Sequence, residues 1–419
     1  MTGTRFSTLG RALCALLLAF GLAGTALAQQ ALKIGFGMSL TGPLAGNGKA
    51  ALIAMEIWRD DVNAKGGILG RKVEFVYYDD QTSPATVPGI YTKLLDVDKV
   101  DLVVSGYGTN VIAPAMPIMM QRNLTFMTLF GLNVNSKFNY DRYFQIMPAG
   151  PQPAIGWSQG FFDAAMGMNP KPKTVALVGA DAEYPAMALE GAREHAKRAG
   201  LKIVYDKTYP PNTVDYSPIV RAIQATNPEI VFVASYPPDS AGMVRSANEV
   251  GLKTRMFGGG LVGPQFAALK TQLGPLLNGI VNYEFYAPDL GSKFPFLEQF
   301  LGKYQARAVV EKVDPLGFYL PPYAYAMMQV LDQAITATKG LDQAKLAEYI
   351  HKSEFDTFVG KVRFAKNGEW AASRVMMTQY HGITGNDVEQ FKKPGRLTVL
   401  SPKEYKTGDL KAPYHENKK

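Results

Sequence analysis

Short apolar runs alternate with amphipathic helical windows through most of the chain. The first run, LKIGFGMS at 32–39, precedes a window at 49–64 in which Ala51, Met55, Trp58 and Val62 recur at helical spacing. Three further runs, KVEFVYYDD, VDLVVSG and LTFMTLF, are nearly continuous in apolar residues and are separated by helical windows. These four repeats predict a parallel sheet with helices on both faces.

The same alternation restarts after a break rich in Pro and Gly at 148–154. Five more apolar runs follow, from KTVALVGA to GIVNYEFY, again separated by helical windows. Two successive α/β units of about 130 residues each predict two similar lobes. From 294 onward we expect two or three long helices, and then a hairpin in GKVRFAKNGEWAASRVMMTQYHG with Asn367-Gly368 as its turn.

The first 28 residues have the pattern of a secretory signal. Arg5 and Arg11 precede the run ALCALLLAFGLAGTALA, which ends in an A-x-A site at Ala28. A membrane anchor is the competing interpretation, but the run is short and has no charged stop-transfer flank. We therefore expect cleavage after Ala28 and export to the periplasm. The only cysteine, Cys14, lies inside this segment, so the mature chain has no thiolate for catalysis or metal binding.

The chain carries a formal net charge of +8 at pH 7, and the basic residues are scattered. A nucleic-acid binder concentrates such charge in a patch interleaved with aromatic residues. We therefore expect no nucleic-acid partner.

The glycine-rich segment GFGMSLTGPLAGNGKA resembles a phosphate-binding loop but fails both templates. The dinucleotide pattern G-x-G-x-x-G needs a third glycine where Leu40 stands, and in the P-loop pattern Gly48-Lys49 should precede Ser or Thr rather than Ala50. Phosphate binding by this loop is therefore not expected.

The segment GWSQG at 156–160 matches the G-x-S-x-G pattern of serine hydrolases. A nucleophile elbow needs a sharp turn between strand and helix, whereas Ser158 lies within a helical window. His195, His351 and His381 have no recognisable orienting partner, and the histidines lack metal-ligand spacing. We expect no enzymatic activity, no cofactor and no metal site, and a secreted hydrolase using Ser158 is the enzyme alternative.

Polar residues and backbone N–H groups cluster where several predicted strands end. These junctions are Ser39-Leu40-Thr41-Gly42, Gly108-Thr109-Asn110 and Phe130-Gly131-Leu132. Ligands of open α/β sheets bind at the carboxyl ends of the strands, and helix N-termini attract anions such as carboxylates. The sequence therefore favours a binding protein.

Several of these segments, in this order, resemble a known family. GMSLTGPLAGNGKAALIAMEIWRDDVNAKGGILGRKVEFVYYDDQTSP, VVSGYGTNVIAPAMPIM, DAEYPAMALEGAREHAKRAG and FAKNGEW are similar to type I periplasmic solute-binding proteins of the branched-chain amino acid ABC transporter family. The resemblance covers nearly the whole mature chain.

The resemblance implies an α/β fold of two doubly wound three-layer lobes joined by a three-strand hinge. Lobe 1 would comprise 29–150 plus 285–366, and lobe 2 would comprise 151–284 plus 367–419. Such a monomeric receptor closes on a ligand and delivers it to an inner-membrane ABC permease. A sensor that signals to a membrane kinase shares the fold and remains an alternative.

The resemblance also implies a site. Thr109 matches the position of a hydroxyl that holds the ligand carboxylate, Asn47 matches a side chain over the ligand, and Tyr184 and Tyr236 match aromatic positions of the second lobe. The full predicted set is Ser39, Thr41, Asn47, Thr109, Asn110, Phe130, Gly131, Leu132, Tyr184, Tyr236, Gly260 and Tyr323.

One position departs from the family. Where its amino acid binders often place an acid to pair with the ligand ammonium, this chain has Gly260. Either Asp239 or another acid replaces it, or the ligand has no ammonium. The sequence predicts a small carboxylate-bearing ligand, with aliphatic amino acids ahead of aromatic acids and amides.

Overall fold

The first of two α/β lobes is built on a five-stranded parallel sheet; the computed structural model describes residues 30–417. The strand order is β2-β1-β3-β4-β5, so the chain adds strands on both sides of β1, as in doubly wound folds. The strands are β1 Leu32–Met38, β2 Val73–Asp79, β3 Leu102–Tyr107, β4 Phe126–Leu129 and β5 Tyr143–Gln145. The helices between them are α1 Ala45–Ala64, α2 Val87–Asp96, α3 Thr109–Ile112, α4 Met116–Gln121 and α5 Asn135–Phe138.

The second lobe contains a mixed seven-stranded sheet of order β14-β13-β10-β9-β8-β6-β7. Five strands are parallel, and the late strands β13 and β14 join antiparallel at one edge. The strands are β6 Thr174–Ala180, β7 Lys202–Tyr209, β8 Ile230–Ser235, β9 Met256–Leu261, β10 Val281–Glu284, β13 Met376–Tyr380 and β14 Leu397–Ser401. The helices are α6 Pro153–Met166, α7 Glu183–Arg198, α8 Ser217–Ala225, α9 Pro237–Val250 and α10 Ala267–Leu273.

After β10 the chain returns to the first lobe. The long helix α12 packs against α1, and the hydroxyl of its Tyr325 donates to Asp61 at 2.9 Å. The elements of this excursion are α11 Pro295–Glu311, α12 Leu320–Thr338, α13 Gln343–Lys352, β11 Glu354–Thr357 and β12 Gly360–Arg363. We retain the predicted lobe boundaries as a proposal.

Two of the segments that cross between the lobes lie side by side. The backbone N–H of Gln145 donates to the carbonyl of Gly368 at 2.8 Å, and that of Arg374 donates to Pro148 at 2.8 Å. An isolated bridge also pairs Ala149 with Ser373. These hydrogen bonds tie the 146–152 crossing to the 364–375 crossing.

The predicted hairpin with Asn367-Gly368 as its turn is present, but it is shorter than expected. β12 pairs with β11, whereas β13 pairs with β10 and β14 in the other lobe. The hairpin is confined to residues 363–371, where the Ala365 N–H donates to the Glu369 carbonyl at 2.7 Å and an antiparallel bridge pairs Phe364 with Trp370. The reason is that the segment between these strands crosses from one lobe to the other, so its flanking strands belong to different sheets.

The β1–α1 loop is held by two acids at the end of β2. Asp79 accepts the backbone N–H of Leu40 at 2.9 Å and the hydroxyl of Thr41 at 2.6 Å. Asp80 accepts the hydroxyl of Ser39 at 2.6 Å. A Cβ atom at Gly48 would lie 2.0 Å from the Ser39 carbonyl, so only glycine allows α1 to approach β1 this closely. The glycines of this segment therefore serve packing.

Two sequence predictions concern membranes. The predicted signal, residues 1–28, lies outside the described residues. Within residues 30–417, every helix is too short or too polar to cross a bilayer.

Candidate functional site between the lobes

A small cavity lies where the two lobes meet. Its volume is about 20 Å³, enough for about one water molecule. Aromatic rings fill most of the surrounding space. The cavity is lined by Tyr107, Gly108, Thr109, Phe130, Leu132, Met147, Trp157, Tyr184, Tyr236, Val262 and Tyr319.

A wider cleft adjoins this inner cavity, and Tyr236 lines both. The outer cleft has a volume of about 490 Å³, within the range of small-molecule sites. Its walls come from both lobes and are Pro43, Leu44, Thr82, Pro84, Asn110, Ala182, Glu183, Pro211, Asn212, Thr213, Val214, Tyr236, Pro238 and Asp239. Together the inner cavity and the outer cleft form a candidate binding site with a small inner end and a larger, mostly apolar outer part.

The first lobe contributes Thr109 to the inner cavity, at the turn after β3. Gly108 has a φ of +113°, which a side chain rarely adopts, and this turn directs Thr109 inward. The Thr109 hydroxyl oxygen accepts the backbone N–H of Leu132 at 3.0 Å. Its own hydrogen has no acceptor among residues 30–417, so it is free to donate into the cavity.

Phe130 is held against the cavity in a strained conformation. Its φ is +55°, which is uncommon for a bulky residue and is often found at ligand sites. Gln145 stabilises it, because its side-chain oxygen accepts the Phe130 N–H at 2.9 Å while its nitrogen donates to the Gly131 carbonyl at 2.8 Å. A buried glutamine one strand away therefore fixes this wall.

The second lobe contributes Tyr184, which lies in the first turn of α7. Its hydroxyl donates to the carbonyl of Gly260 at 2.8 Å and lies 3.3 Å from Trp157 Nε1. Helix α7 has no side-chain cap at its N-terminus, and it packs against α3 across the lobe junction. The positive end of the α7 dipole therefore lies beside the cavity.

The hydroxyl of Tyr236 is buried, and among the described residues it has no hydrogen-bond partner within bonding geometry. Burial raises its pKa above the ordinary value, and the nearby backbone N–H of Tyr184 lowers it in part. A buried polar group without a partner is unusual in a native protein. This hydroxyl is therefore available to a ligand.

Asp239 lies at the outer cleft near the start of α9. Burial raises the pKa of its carboxyl to about 6. The Tyr216 hydroxyl lies 3.1 Å from Asp239 Oδ1, and together with Tyr209 and the backbone N–H of Tyr236 it lowers that pKa in part. The carboxyl is therefore already hydrogen-bonded within the second lobe.

A cluster of aromatic residues joins the lobes behind the cavity. The hydroxyls of Tyr107 and Tyr319 lie 3.2 Å apart, and those of Tyr319 and Tyr283 lie 3.5 Å apart. Phe130 packs on Phe285 with ring centroids 5.0 Å apart. The inner end of the site is therefore rigid and largely apolar.

The structure brings half of the predicted site residues to these cavities. Five of them, Thr109, Phe130, Leu132, Tyr184 and Tyr236, line the inner cavity, and Asn110 lines the outer cleft. Gly260 lies directly behind Tyr184. Since Asn110 Oδ1 is buried without a partner among the described residues, it is a further polar group open to a ligand.

The remaining predicted residues lie elsewhere. Ser39 and Thr41 donate to Asp80 and Asp79, Asn47 is buried in α1, and the Gly131 carbonyl is taken by Gln145. Tyr323 packs on Phe130 with ring centroids 5.2 Å apart, and it lines neither cavity. We leave these five out of the proposed site.

Sequence reasoning missed several lining residues, namely Tyr107, Met147, Trp157, Val262 and Tyr319. Trp157 lies inside GWSQG, next to Ser158, the candidate nucleophile of the hydrolase alternative. Met147 and Tyr319 belong to connecting segments whose position depends on how the lobes meet. The one feature of the sequence that could have indicated Tyr319 is that it is an aromatic residue in a segment connecting the lobes.

Ser158 does not have the surroundings of a nucleophile. It is buried within α6, and its hydroxyl donates to the Ala154 carbonyl at 3.3 Å. The nearby His195 ring nitrogen Nε2 bonds to the Ile155 carbonyl at 2.9 Å. No base therefore activates this serine among the described residues, and the hydrolase alternative is not favoured.

Comparison with known proteins decides the family. The profile of the periplasmic binding protein family matches residues 31–384. The chain belongs to this family. The recognised resemblance to type I periplasmic solute-binding proteins of the branched-chain amino acid group is thereby confirmed, as is the two-lobed α/β fold.

Three similar proteins illustrate the relationship. The Leu/Ile/Val-binding protein homolog 7 of Brucella suis is 26% identical over 383 residues, covering 88% of this chain and 94% of that protein. A branched-chain amino acid transporter substrate-binding protein of Streptococcus pneumoniae, solved with isoleucine, has a TM-score of 0.72 and 19% identity, covering 89% of this chain and 100% of that one. A solute-binding protein of R. palustris, solved with benzoate, has a TM-score of 0.71 and 17% identity, covering 89% and 97%.

Proposed function

We propose that this periplasmic binding protein is the receptor of an ABC importer. It binds a small carboxylate-bearing molecule between its lobes and delivers it to an inner-membrane permease. The receptor acts as a monomer, after export and removal of residues 1–28. Both named ligands of the solved relatives, isoleucine and benzoate, carry a carboxylate, which is consistent with this ligand class.

The convergence of hydrogen-bond donors on the inner cavity carries the proposal. Thr109 presents a free hydroxyl hydrogen from the first lobe, and Tyr236 presents an unpartnered hydroxyl from the second. The first turn of α7, which has no side-chain cap, contributes Tyr184 to the same cavity. Donors and the positive end of a helix dipole favour an anion, and a carboxylate accepts several such hydrogen bonds at once.

Contacts between the two lobes stabilise the closed arrangement around the cavity. Asn133 Nδ2 lies 3.7 Å from the sulfur of Met187, and Lys137 forms an ion pair with Glu183 at 3.5 Å. At the other side of the cleft the ring of Phe266 packs closely on Gly46. A ligand that touches both lobes favours this closed arrangement over an open one, and closure is what a permease can recognise.

A thermal-shift experiment with matched acids and amides tests the proposal. The probes are benzoate with benzamide, 4-methylpentanoate with 4-methylpentanamide, and L-leucine with L-leucinamide. At a concentration one hundred times the Kd, a ligand stabilises the folded state by about 2.7 kcal/mol. We expect the melting temperature to rise with at least one carboxylate and not with its amide. A panel in which no carboxylate raises the melting temperature would overturn the proposal.

A further inference from the structure

The wall where a counter-charge for an ammonium group was expected is closed. Gly260 has no side chain, and its carbonyl accepts the Tyr184 hydroxyl at 2.8 Å. A Cβ atom there would lie 2.9 Å from the Val233 carbonyl oxygen and 3.2 Å from the Tyr184 hydroxyl. This strand therefore contributes neither a carboxylate nor a free carbonyl to the cavity.

The acids that line the two spaces are already engaged. None of the residues around the inner cavity is acidic, and Glu183 and Asp239 are the acids among the described residues of the outer cleft. Glu183 is paired with Lys137 at 3.5 Å. Asp239 is hydrogen-bonded by Tyr216 at 3.1 Å. Both acids lie in the outer cleft, whereas the α-ammonium of an amino acid whose carboxylate is bound at the inner end would lie beside that carboxylate, where no acid among residues 30–417 lines the cavity.

The inner surroundings are aromatic, and the rings pack on one another. Trp157 packs on Tyr283 with centroids 4.3 Å apart and on Tyr184 at 5.8 Å. Phe130 packs on Tyr319 at 5.3 Å. A cation can bind an open aromatic face, but the neutral rings here supply no negative charge to pair with an ammonium group. Burying an ammonium without a counter-charge in such a place is strongly unfavourable.

We propose that this site selects carboxylates that carry no ammonium group, namely apolar or aromatic monocarboxylates. This inference rests on the proposed function, because it takes for granted that a carboxylate binds at the inner end. The hydrocarbon part of the ligand then lies in the outer cleft, against Pro43, Leu44 and Val214. The sequence-based preference for aliphatic amino acids is replaced by a preference for their des-amino counterparts and for aromatic acids.

Isothermal titration of the purified mature protein with matched pairs tests this selectivity. The pairs are 4-methylpentanoate with L-leucine and 3-phenylpropanoate with L-phenylalanine, which share a carbon skeleton and differ in the α-ammonium. Glycine betaine is added as a probe for binding of a cation by aromatic rings. We expect at least one acid to bind at least tenfold more tightly than its amino acid, and betaine not to bind.

The possible results separate the two proposals. If either amino acid binds as tightly as its acid or more tightly, or if betaine binds more tightly than both acids, the selectivity inference is overturned while a carboxylate receptor remains. If no carboxylate of this panel binds and benzoate does not raise the melting temperature, the inference and the proposed function fall together.

Discussion

The hydroxyl of Tyr184 donates to the carbonyl of Gly260 across the second-lobe wall of the cavity, at 2.8 Å. This bond ties the first turn of α7 to the end of β9, and it occupies the backbone group that would otherwise face a ligand. A tyrosine thus seals the wall at the position where relatives were expected to carry an acid.

Replacing Tyr184 with Phe removes this hydrogen bond and leaves the buried Gly260 carbonyl without its donor. We expect the free energy of unfolding to fall by about 1–3 kcal/mol, measured by urea denaturation. Tyr205→Phe is the matched control, since Tyr205 is half-buried on β7 and a change within about 0.5 kcal/mol is expected there. Equal losses in both variants would contradict the assigned role of the bond.

Thr109→Val keeps the shape of the side chain but removes its hydroxyl. We expect carboxylate affinity to fall about tenfold to one hundredfold, as for loss of a hydrogen bond to a charged group. Thr109→Ser retains the hydroxyl and should restore most of the affinity in titration calorimetry. Ser158→Ala removes a buried hydroxyl that bonds to Ala154 and should leave the affinity unchanged. Full affinity in Thr109→Val would remove this residue from the site.

Asp239 should make the stability of the protein depend on pH. Its folded-state pKa of about 6 lies above the ordinary value of 3.8 because of burial. The folded state therefore binds the proton more tightly, so this contribution is present below the ordinary pKa and is lost as pH rises through about 6. The expected loss is about 1–3 kcal/mol between about pH 4 and pH 7.

The Asp239→Asn variant isolates this contribution from that of other buried acids, including Glu284, Asp314 and Glu369, whose pKa values are also raised by burial. The difference in unfolding free energy between parent and variant should change by the stated amount across this interval. A difference that stays constant with pH would show that Asp239 does not titrate in the folded protein in this range.

Gly368 should be essential to the crossing segments. Its φ is +77°, and a Cβ atom would lie 1.8 Å from the Tyr143 carbonyl oxygen. Gly368→Ala should therefore destabilise the protein by more than about 2 kcal/mol. Gly302 lies within α11 with open space around its Cβ position, so Gly302→Ala should stabilise it by about 0.5–1 kcal/mol. The opposite order in thermal melts would contradict this account of the turn.

Local sequence patterns predicted the central strands well, for a physical reason. Runs such as KTVALVGA and EIVFVAS are buried on both faces of a sheet, so their composition alone identifies them. Helix α1 begins at Ala45, four residues before the predicted start at 49. Its first turn buries Asn47 and Gly48, and because neither residue is strongly apolar, the spacing of apolar residues did not indicate that this turn is helical.

The site was less predictable because it depends on how two lobes meet. Thr109 was found from the end of a strand, where parallel sheets place their ligands, and Tyr236 was found from the family resemblance. Trp157 and Tyr319 were missed, since one lies on a helix and the other before a helix, and only the lobe junction brings them together. The hairpin around Asn367 is shorter than predicted for the same reason: the strands that flank it pair in separate lobes.

Tryptophan fluorescence tests most directly whether a carboxylate ligand binds at the lobe junction. Trp157 lines the inner cavity, whereas Trp58 is buried in α1 and stacks on Phe75 in the first-lobe core. Titration of the parent protein with 3-phenylpropanoate or benzoate should give a saturable fluorescence change. The third tryptophan, Trp370, is buried in the 364–375 crossing. The change should persist in Trp58→Phe and in Trp370→Phe, and disappear in Trp157→Phe. A change that survives in Trp157→Phe and vanishes in Trp58→Phe would contradict binding at the junction.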